Sequence, residues 1–345
     1  MNRRDLLKGG LISLALPLIP KIVHSQPDMH GLIKPKALKE GDIVGIIAPG
    51  TAVSNPDDIA KVQQALNYFG LKMKLGKYVE KGSGYKSRTI EERIDDLHKM
   101  FLDKEVKAVF CIRGGYGSGQ LLDKIDYKLI RNNPKIFLGY SDITAMHLAI
   151  NKLSGLLTFH GPVLLSAFTS YTVDYFKKAL FSTEPIGKIS NPPIVSGVRP
   201  AYPYRTIVSG KAKGKLTGGN LSLISSTMGT PYEIDTKDKI LFIEDVGEEP
   251  YRIDRMLTQL NLAGKLKEAA GIIFGKCAGC NKSNTGVWDY SLGEVLDYQL
   301  GDLNIPVFYG LLIGHTSDQV TLPYNVEAEI NTDEGILDIL ESGVI

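Results

Sequence analysis

Residues 136–153 read IFLGYSDITAMHLAINKL, an apolar run followed at once by a turn and an amphipathic run. The first run predicts a strand over Ile136–Gly139, and the second predicts a helix from Asp142 to Leu153. A strand that turns directly into a helix is the building unit of parallel α/β sheets. This stretch therefore sets the fold class of the first half of the chain.

The same alternation extends to both sides of that unit. Apolar runs typical of buried strands and longer runs typical of amphipathic helices alternate along the chain at Ile43–Ala48, Pro56–Phe69, Leu71–Leu75, Thr89–Phe101, Val106–Ile112 and Leu156–Phe159. Strands separated by helices of this length imply βαβ crossovers. We therefore predict an α/β domain with a doubly wound, mostly parallel sheet over residues 31–170.

The character of the sequence changes after that domain. Residues 171–204 are rich in proline and lack strong periodicity, so we predict a linker there. The pattern of residues 205–345 is less regular, with a hairpin-like stretch Thr206–Leu216, apolar strands Lys239–Ile243 and Gly271–Phe274, a helix Tyr251–Leu262 and two or three strands within Gln319–Leu340. We expect a smaller mixed α/β domain with a β-rich, barrel- or sandwich-like core.

The composition excludes several classes of protein. Among 345 residues, 40 lysines and arginines oppose 38 aspartates and glutamates, so no basic field for nucleic acid is expected. Three cysteines are too few for a disulfide framework. Cys277 and Cys280 form a single C-x-x-C, a weak indication of zinc that is equally compatible with a disulfide or two thiols. We expect no catalytic role for the pair.

The first 25 residues have the three parts of an export signal. A charged start precedes an apolar run over 9–20, and the small Ser25 follows at a plausible cleavage site. The paired Arg3 and Arg4 resemble the twin-arginine type. An uncleaved membrane anchor is the alternative, although two prolines interrupt the short apolar run. We expect an exported, periplasmic protein without stable membrane insertion after signal removal.

The turn between Gly139 and Asp142 is the first candidate site. A serine on a sharp strand-to-helix turn exposes its hydroxyl, and the N–H of the next residue points to where an oxyanion forms. The turn is half of a nucleophile elbow, because Ile143 stands where Gly-x-Ser-x-Gly has its second glycine. Capping of the following helix is an equally good reading of Ser141.

A glycine-rich loop, Arg113-Gly-Gly-Tyr-Gly-Ser-Gly119, follows the predicted strand Val106–Ile112. Such a loop lets backbone N–H groups approach an anion, as a phosphate cradle or as part of an oxyanion hole. It lacks the Gly-Lys-Ser of a nucleotide P-loop and the full dinucleotide fingerprint. A tight turn without a ligand is the alternative.

A nucleophilic serine needs a base and a group that orients the base. Of the six histidines, His315 lies in a loop just beyond a glycine, a position suited to a base, and His160 at a strand end is a second candidate. An apolar strand runs into Glu244 and Asp245, of which only one can face a given site. An ion pair with a nearby arginine is an equally good reading of these acids.

Several segments together resemble one family, the LD-carboxypeptidases, serine peptidases whose class also contains the microcin C self-immunity hydrolases. The segments run in family order, cover roughly residues 40–340 and are RGGYGSGQLLD (113–123), GYSDITA (139–145), GGNL (218–221), GTPY (229–232), IEDVGEEPYRIDRML (243–257) and GH (314–315). Each motif alone is weak, whereas the ordered set is specific.

The resemblance implies a role for individual residues. It makes Ser141 the nucleophile, His315 the general base and acid, and Glu244 the acid that orients the imidazole. It also implies an oxyanion hole formed by the Asp142 N–H and one from Gly114 or Gly115, and it leaves Ser118 a bystander. The candidate substrate-binding residues are Arg113, Asn220 and Arg252, the two arginines as partners of a substrate carboxylate.

The resemblance also implies an activity. The family removes the terminal D-alanine of peptidoglycan tetrapeptide stems, here muropeptides or intact stems, by cutting after the L-centre of a diamino acid through an acyl-enzyme. It implies no metal or organic cofactor, because triad chemistry needs none, and it suggests a homodimer. One alternative is a hydrolase of peptidyl or aminoacyl nucleotide conjugates, in which Trp288 would stack on the nucleobase. The other is a non-catalytic exported solute-binding protein.

Overall fold

The structure, a computed structural model, describes residues 31–53, 55, 57–80, 82, 87–193, 202–281 and 290–345, so the predicted export signal lies outside it. The strands are β1 (Ile43–Ile47), β2 (Lys72–Leu75), β3 (Val106–Cys111), β4 (Ile136–Gly139), β5 (Phe159–His160), β6 (Gly187–Ile189), β7 (Arg205–Val208), β8 (Lys211–Asn220), β9 (Lys239–Glu244), β10 (Gly271–Phe274), β11 (Val307–Tyr309), β12 (Leu322–Pro323), β13 (Glu327–Asn331) and β14 (Ile336–Ile339). The helices are α1 (Asp57–Tyr68), α2 (Ile90–Leu102), α3 (Tyr127–Asn132), α4 (Thr144–Ser154), α5 (Ser170–Leu180), α6 (Leu221–Ser226), α7 (Pro250–Leu262) and α8 (Leu292–Leu300). Over the described ranges, none of these helices has the length and apolarity needed to span a bilayer.

The first sheet confirms the predicted doubly wound half. Its order is β12-β5-β4-β3-β1-β2, and every pair of neighbours is parallel except β12 and β5. Local sequence signals mark the helix ends: Thr89 and Glu92 form a capping box at the start of α2, and Gly155 ends α4 in a left-handed conformation. Strand β12 comes from late in the chain, so residues beyond 320 complete this sheet.

The second sheet has the order β6-β14-β13-β8-β9-β10-β11-β7, with a parallel centre from β8 to β11. The predicted hairpin over 206–216 is wrong, because β7 pairs with β11 and three strands separate it from β8. Alternation identified both strands, but it carries no information on their partners. The sheet curls so that Thr332, after β13, bonds to Val208 and Gly210. A curled, β-rich core agrees with the predicted class.

The predicted linker over 171–204 is wrong for its first part. Thr169 caps α5, whose buried residues Phe176 and Leu180 join the hydrophobic core. Strand β6 then extends the edge of the second sheet by pairing with β14. The prolines that suggested a linker begin at Pro185, after α5 has ended, so they do not interrupt the helix.

One hydrophobic cluster joins the two sheets, with Phe110 of β3 and Phe242 of β9 among its buried members. Within it, the carboxyl ends of parallel strands point to a common region. Ser141 follows β4, Glu244 ends β9 and His315 follows β11. Ligands of open α/β sheets bind beyond such strand ends, so the fold gathers the three predicted catalytic residues.

Candidate active site

Ser141 sits on a strained turn between β4 and α4. Its φ is +62°, a left-handed conformation that non-glycine residues rarely adopt. A Cβ on Gly139 would lie 2.8 Å from Ile143 Cγ2, so Ile143 packs tightly over the start of the turn. The elbow therefore forms without the second glycine of Gly-x-Ser-x-Gly. Helix α4 begins at Thr144 with Ile143 in the N-cap position, so Ser141 is not its cap.

Three side chains from distant parts of the chain meet at this turn. His315 Nε2 lies 3.1 Å from Ser141 Oγ, and His315 Nδ1 lies 2.7 Å from Glu244 Oε2. The Glu244 side chain is fully buried, whereas the imidazole is 18% exposed. A Cβ on Gly314 would lie 2.3 Å from Glu244 Oε2, which explains the glycine before His315. The arrangement is that of a nucleophile, a base and an orienting acid.

The carboxylate controls the protonation of His315. Burial alone lowers the pKa of the imidazole, but the hydrogen bond to Glu244 and its charge, helped by Asp245, outweigh burial and raise that pKa above the usual value. In the neutral ring, Nδ1–H donates to Glu244, and Nε2 is left to accept the hydroxyl proton of Ser141. The geometry therefore suits His315 to activate Ser141.

Asp142 fastens the glycine loop to the elbow. Its carboxylate accepts the N–H groups of Ser118 at 2.8 Å and Gly117 at 3.3 Å, and the Ser118 hydroxyl donates to the Asp142 carbonyl at 2.5 Å. Burial raises the pKa of the Asp142 carboxyl above its usual value. Ser118 is fully buried in this contact, which agrees with its being a bystander.

This contact brings the backbone of two glycines beside Ser141. A Cβ on Gly114 would lie 3.1 Å from Ser141 Cβ and 3.4 Å from Asp142 N. Gly115 has a φ of +98°, and a Cβ there would overlap the Thr51 side chain. A side chain at Gly114 would therefore crowd Ser141, and one at Gly115 would collide with Thr51. The residues predicted to form the oxyanion hole are therefore adjacent to Ser141.

A cavity of about 390 Å³ opens in front of Ser141 and His315. Its other lining residues are Asp58, Arg113, Gly114, Gly115, Tyr140, Val163, Leu165 and Ser166. The predicted carboxylate partner Arg113 thus lies in the cavity. The sequence motifs include neither Asp58 nor Ser166, and they include Tyr140 without assigning it a role. A larger cavity of about 460 Å³ lies elsewhere, around Lys34 and Ile345, and contains none of the three predicted catalytic residues.

Two predicted substrate-binding residues do not line this cavity. Asn220 is 3% exposed, and its amide caps α6 through the Leu223 N–H and donates to Asp245 Oδ1 at 3.2 Å. Arg252 is exposed on α7 and faces Glu248 at 3.7 Å. The hydrogen bonds of Asn220 thus lie within the fold and the ion pair of Arg252 lies on the surface, while their role as substrate-binding residues stays a prediction.

The two adjacent acids at the end of β9 face different partners, as strand geometry requires. Glu244 bonds to His315, whereas Asp245 accepts the backbone N–H and the hydroxyl of Ser222 at the start of α6. Burial raises the pKa of the Asp245 carboxyl. In the described ranges neither acid has an ion pair with an arginine, so that alternative is wrong.

Two buried histidines support the site without entering it. His147 donates from Nε2 to the Gly139 carbonyl at 2.9 Å, and burial lowers its pKa to about 3. The ring is fully buried. His160 donates from Nε2 to the Ile313 carbonyl at 2.7 Å, and burial also lowers its pKa. His160 is therefore a neutral anchor of the loop before His315 rather than a base.

Cys277 and Cys280 form a disulfide, which decides between the alternatives left by the sequence. The bonded loop follows β10 and touches the segment after Asp245 through the Gly247 N–H and the Ala278 carbonyl, 2.8 Å apart. The disulfide therefore lies beside the segment that carries Glu244. Trp288, which the nucleotide-conjugate alternative assigns to stacking on the nucleobase, lies outside the described residues.

Family models match most of the chain. The LD-carboxypeptidase N-terminal domain matches residues 44–161, and the LD-carboxypeptidase C-terminal domain matches residues 213–330. A probable murein peptide carboxypeptidase of Bacillus subtilis is 44% identical over 322 residues, which cover 90% of this chain and 95% of the relative.

Solved structures share the fold over the same length. The microcin C7 self-immunity protein MccF in its apo state has a TM-score of 0.82 at 27% identity, covering 91% of this chain and 100% of its own. The muramoyltetrapeptide carboxypeptidase of Oxalobacter formigenes has a TM-score of 0.74 at 31% identity, covering 87% and 99%. The similarity thus includes both sheets and the three strand ends that carry the site.

Proposed function

Because the chain belongs to the LD-carboxypeptidase family, we propose that it removes the terminal D-alanine from peptidoglycan tetrapeptide stems by serine catalysis. One observation carries the proposal: the hydrogen bonds from Ser141 to His315 and from His315 to Glu244 stand at the wall of a cavity. Binding a solute does not require these hydrogen bonds, and membership of a peptidase family argues against a non-catalytic solute-binding protein.

The first half of the proposed reaction forms an acyl-enzyme. His315 Nε2 takes the hydroxyl proton of Ser141 as Oγ attacks the carbonyl of the diamino acid. The N–H of Asp142 and one from Gly114 or Gly115 stabilise the oxyanion. The imidazolium then gives its proton to the amine of the leaving D-alanine as the peptide bond breaks, and Glu244 stabilises the imidazolium between these steps.

The second half of the reaction releases the shortened stem peptide, which now ends in the carboxylate of the diamino acid. Water enters, His315 takes a proton from it, and the resulting attack on the acyl carbonyl regenerates the Ser141 hydroxyl as the proton returns through Nε2. Arg113 is the cationic side chain of the cavity, and we assign it to the carboxylate of the leaving D-alanine. The terminal carboxylate would then define the enzyme as an exopeptidase.

We place this reaction outside the inner membrane. The support is the sequence of residues 1–25, with paired Arg3 and Arg4 ahead of an apolar run. Lysine at both positions should block export by the twin-arginine route, so the unprocessed protein would stay in the cytoplasmic fraction. Normal export of that double variant would remove the twin-arginine assignment.

The decisive experiment is mass spectrometry of a disaccharide tetrapeptide after incubation with the purified protein. We expect loss of one alanine with the wild type and none with Ser141→Ala. Ser118→Ala is the matched control, because this serine lies in the glycine-rich loop next to the elbow and is buried against Asp142; the variant should retain measurable turnover. Equal product from the wild type and Ser141→Ala would sink the assignment of the nucleophile.

A second candidate function shares the same chemistry. MccF, which is similar in fold, is also known in complex with aspartyl sulfamoyl adenosine, and this favours aminoacyl nucleotide conjugates as an alternative substrate class. Incubation with such a conjugate separates the two. Release of the amino acid from the conjugate, with no alanine released from the tetrapeptide, would move the proposal to that class.

A further inference from the structure

We propose that Asp58 selects substrates by binding an ammonium group on the amino acid whose carbonyl Ser141 attacks. The inference rests on the proposed function and deepens it, because in a tetrapeptide stem that group is the side-chain amine of the diamino acid. Asp58 belongs to the binding site and takes no part in the proton transfers of the triad.

The position of Asp58 supports this role. It lies in the first turn of α1 and lines the same cavity as Ser141 and His315. Its side chain is 15% exposed, so most of it is covered by protein while it still borders the cavity. Within the described ranges, Asp58 forms one ion pair, with Lys61, whose ammonium lies 3.2 Å away and whose side chain is 57% exposed. Exposed pairs of this kind are weak, so a substrate ammonium can compete with Lys61.

The charges of the cavity match those of the substrate. Apart from His315, the charged side chains that line it are Asp58 and Arg113. These two do not pair with each other, because Arg113 donates to the Ala52 carbonyl at 3.3 Å and Asp58 faces Lys61. A tetrapeptide stem has a carboxylate on the leaving D-alanine and an ammonium on the preceding residue. With Arg113 on the carboxylate, Asp58 is the acid left for the ammonium.

The stability of α1 does not account for Asp58. Asp57, in the same turn, already supplies the negative charge that a helix N-terminus favours, and it is exposed. The side chain of Asn55 accepts the Asp57 N–H at 3.0 Å, so capping does not need Asp58 either. The two adjacent aspartates thus differ in one respect that matters here: Asp58 lines the cavity and Asp57 does not.

The test compares two substrates and two variants. The substrates are a disaccharide tetrapeptide with a free diamino acid side-chain amine and the same compound with that amine acetylated. For the wild type, kcat/KM should be about 10- to 100-fold higher for the substrate with the free amine than for the acetylated substrate. This is the range expected for a hydrogen bond to a charged group. Asp58→Asn should lose that factor on the free amine alone and keep wild-type activity on the acetylated compound, whereas Asp57→Asn should match the wild type on both.

Each other outcome overturns a defined part of the argument. Equal cleavage of the two substrates by the wild type, or an equal loss on both in Asp58→Asn, would overturn the subsite and leave the proposed function standing. Cleavage of neither substrate by the wild type would overturn the proposed function and this subsite with it. Lys61→Ala should raise kcat/KM for the free amine, because it removes the competing cation; a fall would contradict the competition.

Discussion

The nucleophile elbow and the loop that carries His315 reach the same site by opposite means. The elbow is built within residues 136–154, where Ile143 packs over Gly139 and His147 holds the Gly139 carbonyl. The His315 loop, residues 310–321, is held by side chains more than 100 positions away. The hydrogen bonds that hold it join His160 to Ile313, Asn191 to Gly310 and Leu312, Thr172 to Ser317 and Gln319, and Thr169 to Asp318.

The difference locates the weak point of the site. A strand-turn-helix unit folds from neighbouring residues, so changes there strain the fold itself. The His315 loop depends on polar contacts with residues 160–191, part of which the sequence presented as a linker. Misplacement of a catalytic group by about 1 Å can cost about 100-fold in rate. Disturbing the loop should therefore cost activity, and disturbing the elbow should cost stability.

The largest effect is expected from Glu244→Gln. Triad acids changed to amides lose about 10⁴ in kcat, and the same change removes the hydrogen bond and charge that raise the pKa of His315. Activity needs neutral His315 and so rises as the pH passes its pKa. The acid limb of the kcat/KM profile should therefore lie above the usual pKa of histidine in the wild type and move to lower pH in Glu244→Gln.

The neighbouring acid is the control for that variant. Asp245→Asn changes a carboxylate that is also buried but bonds to Ser222 at the start of α6, so it should lower the urea midpoint. Because the charge of Asp245 is the smallest contribution to the raised pKa of His315, the acid limb should move to lower pH by much less than in Glu244→Gln. An acid limb that moves with Asp245 and stays fixed with Glu244 would contradict the assignment of the orienting acid.

Two glycine substitutions test the comparison directly. Gly314→Ala pushes a methyl group against the carboxylate and Cβ of the buried Glu244, which displaces the acid that orients His315, so kcat/KM should fall about 100-fold. Gly139→Ala pushes a methyl group against the fully buried Ile143, so the free energy of unfolding should fall by about 1–3 kcal/mol. Both variants would be compared by steady-state kinetics and urea denaturation. Unfolding of Gly314→Ala together with unchanged stability of Gly139→Ala would contradict the comparison.

A smaller effect is expected from Asn191→Ala, which removes two hydrogen bonds to the His315 loop. We expect kcat/KM to fall about 10-fold, within the range expected when a catalytic group is displaced by less than 1 Å. Asn133→Ala is the matched control, because in the described part of the chain its side-chain amide donates to a carbonyl four residues earlier. If the two variants had equal activity, the loop would not depend on its distant anchor.

The smallest effect on activity is expected from replacing Cys277 and Cys280 by serine. The disulfide closes a loop with a sequence separation of 3, for which the chain-entropy relation gives about 2 kcal/mol of stability. Turnover should change less than about threefold, because hydrogen bonds already join the loop to its neighbours. Thermal unfolding with and without a reductant measures the stability that the disulfide contributes. A large loss of turnover would show that the position of Glu244 depends on the disulfide.

Much of this molecule follows from short-range pattern. Alternating apolar and amphipathic runs located β1 to β4 and α1, and the register of Gly139, Ser141 and the following helix defined the elbow. The ordered motifs brought Glu244 and His315 to attention through family resemblance, although they lie far from Ser141 in the chain. These features are legible because burial and backbone conformation are imposed on each residue by its near neighbours.

Other features were decided only by tertiary structure. Strand β7 pairs with β11 instead of β8, a late strand completes the first sheet, and α5 stands where a linker was predicted. Asn220 and Arg252 proved to lie outside the cavity, and Asp58 proved to line it. Periodicity reports which side of an element is buried, but strand partners and cavity walls depend on how remote elements pack, and no local pattern records that choice.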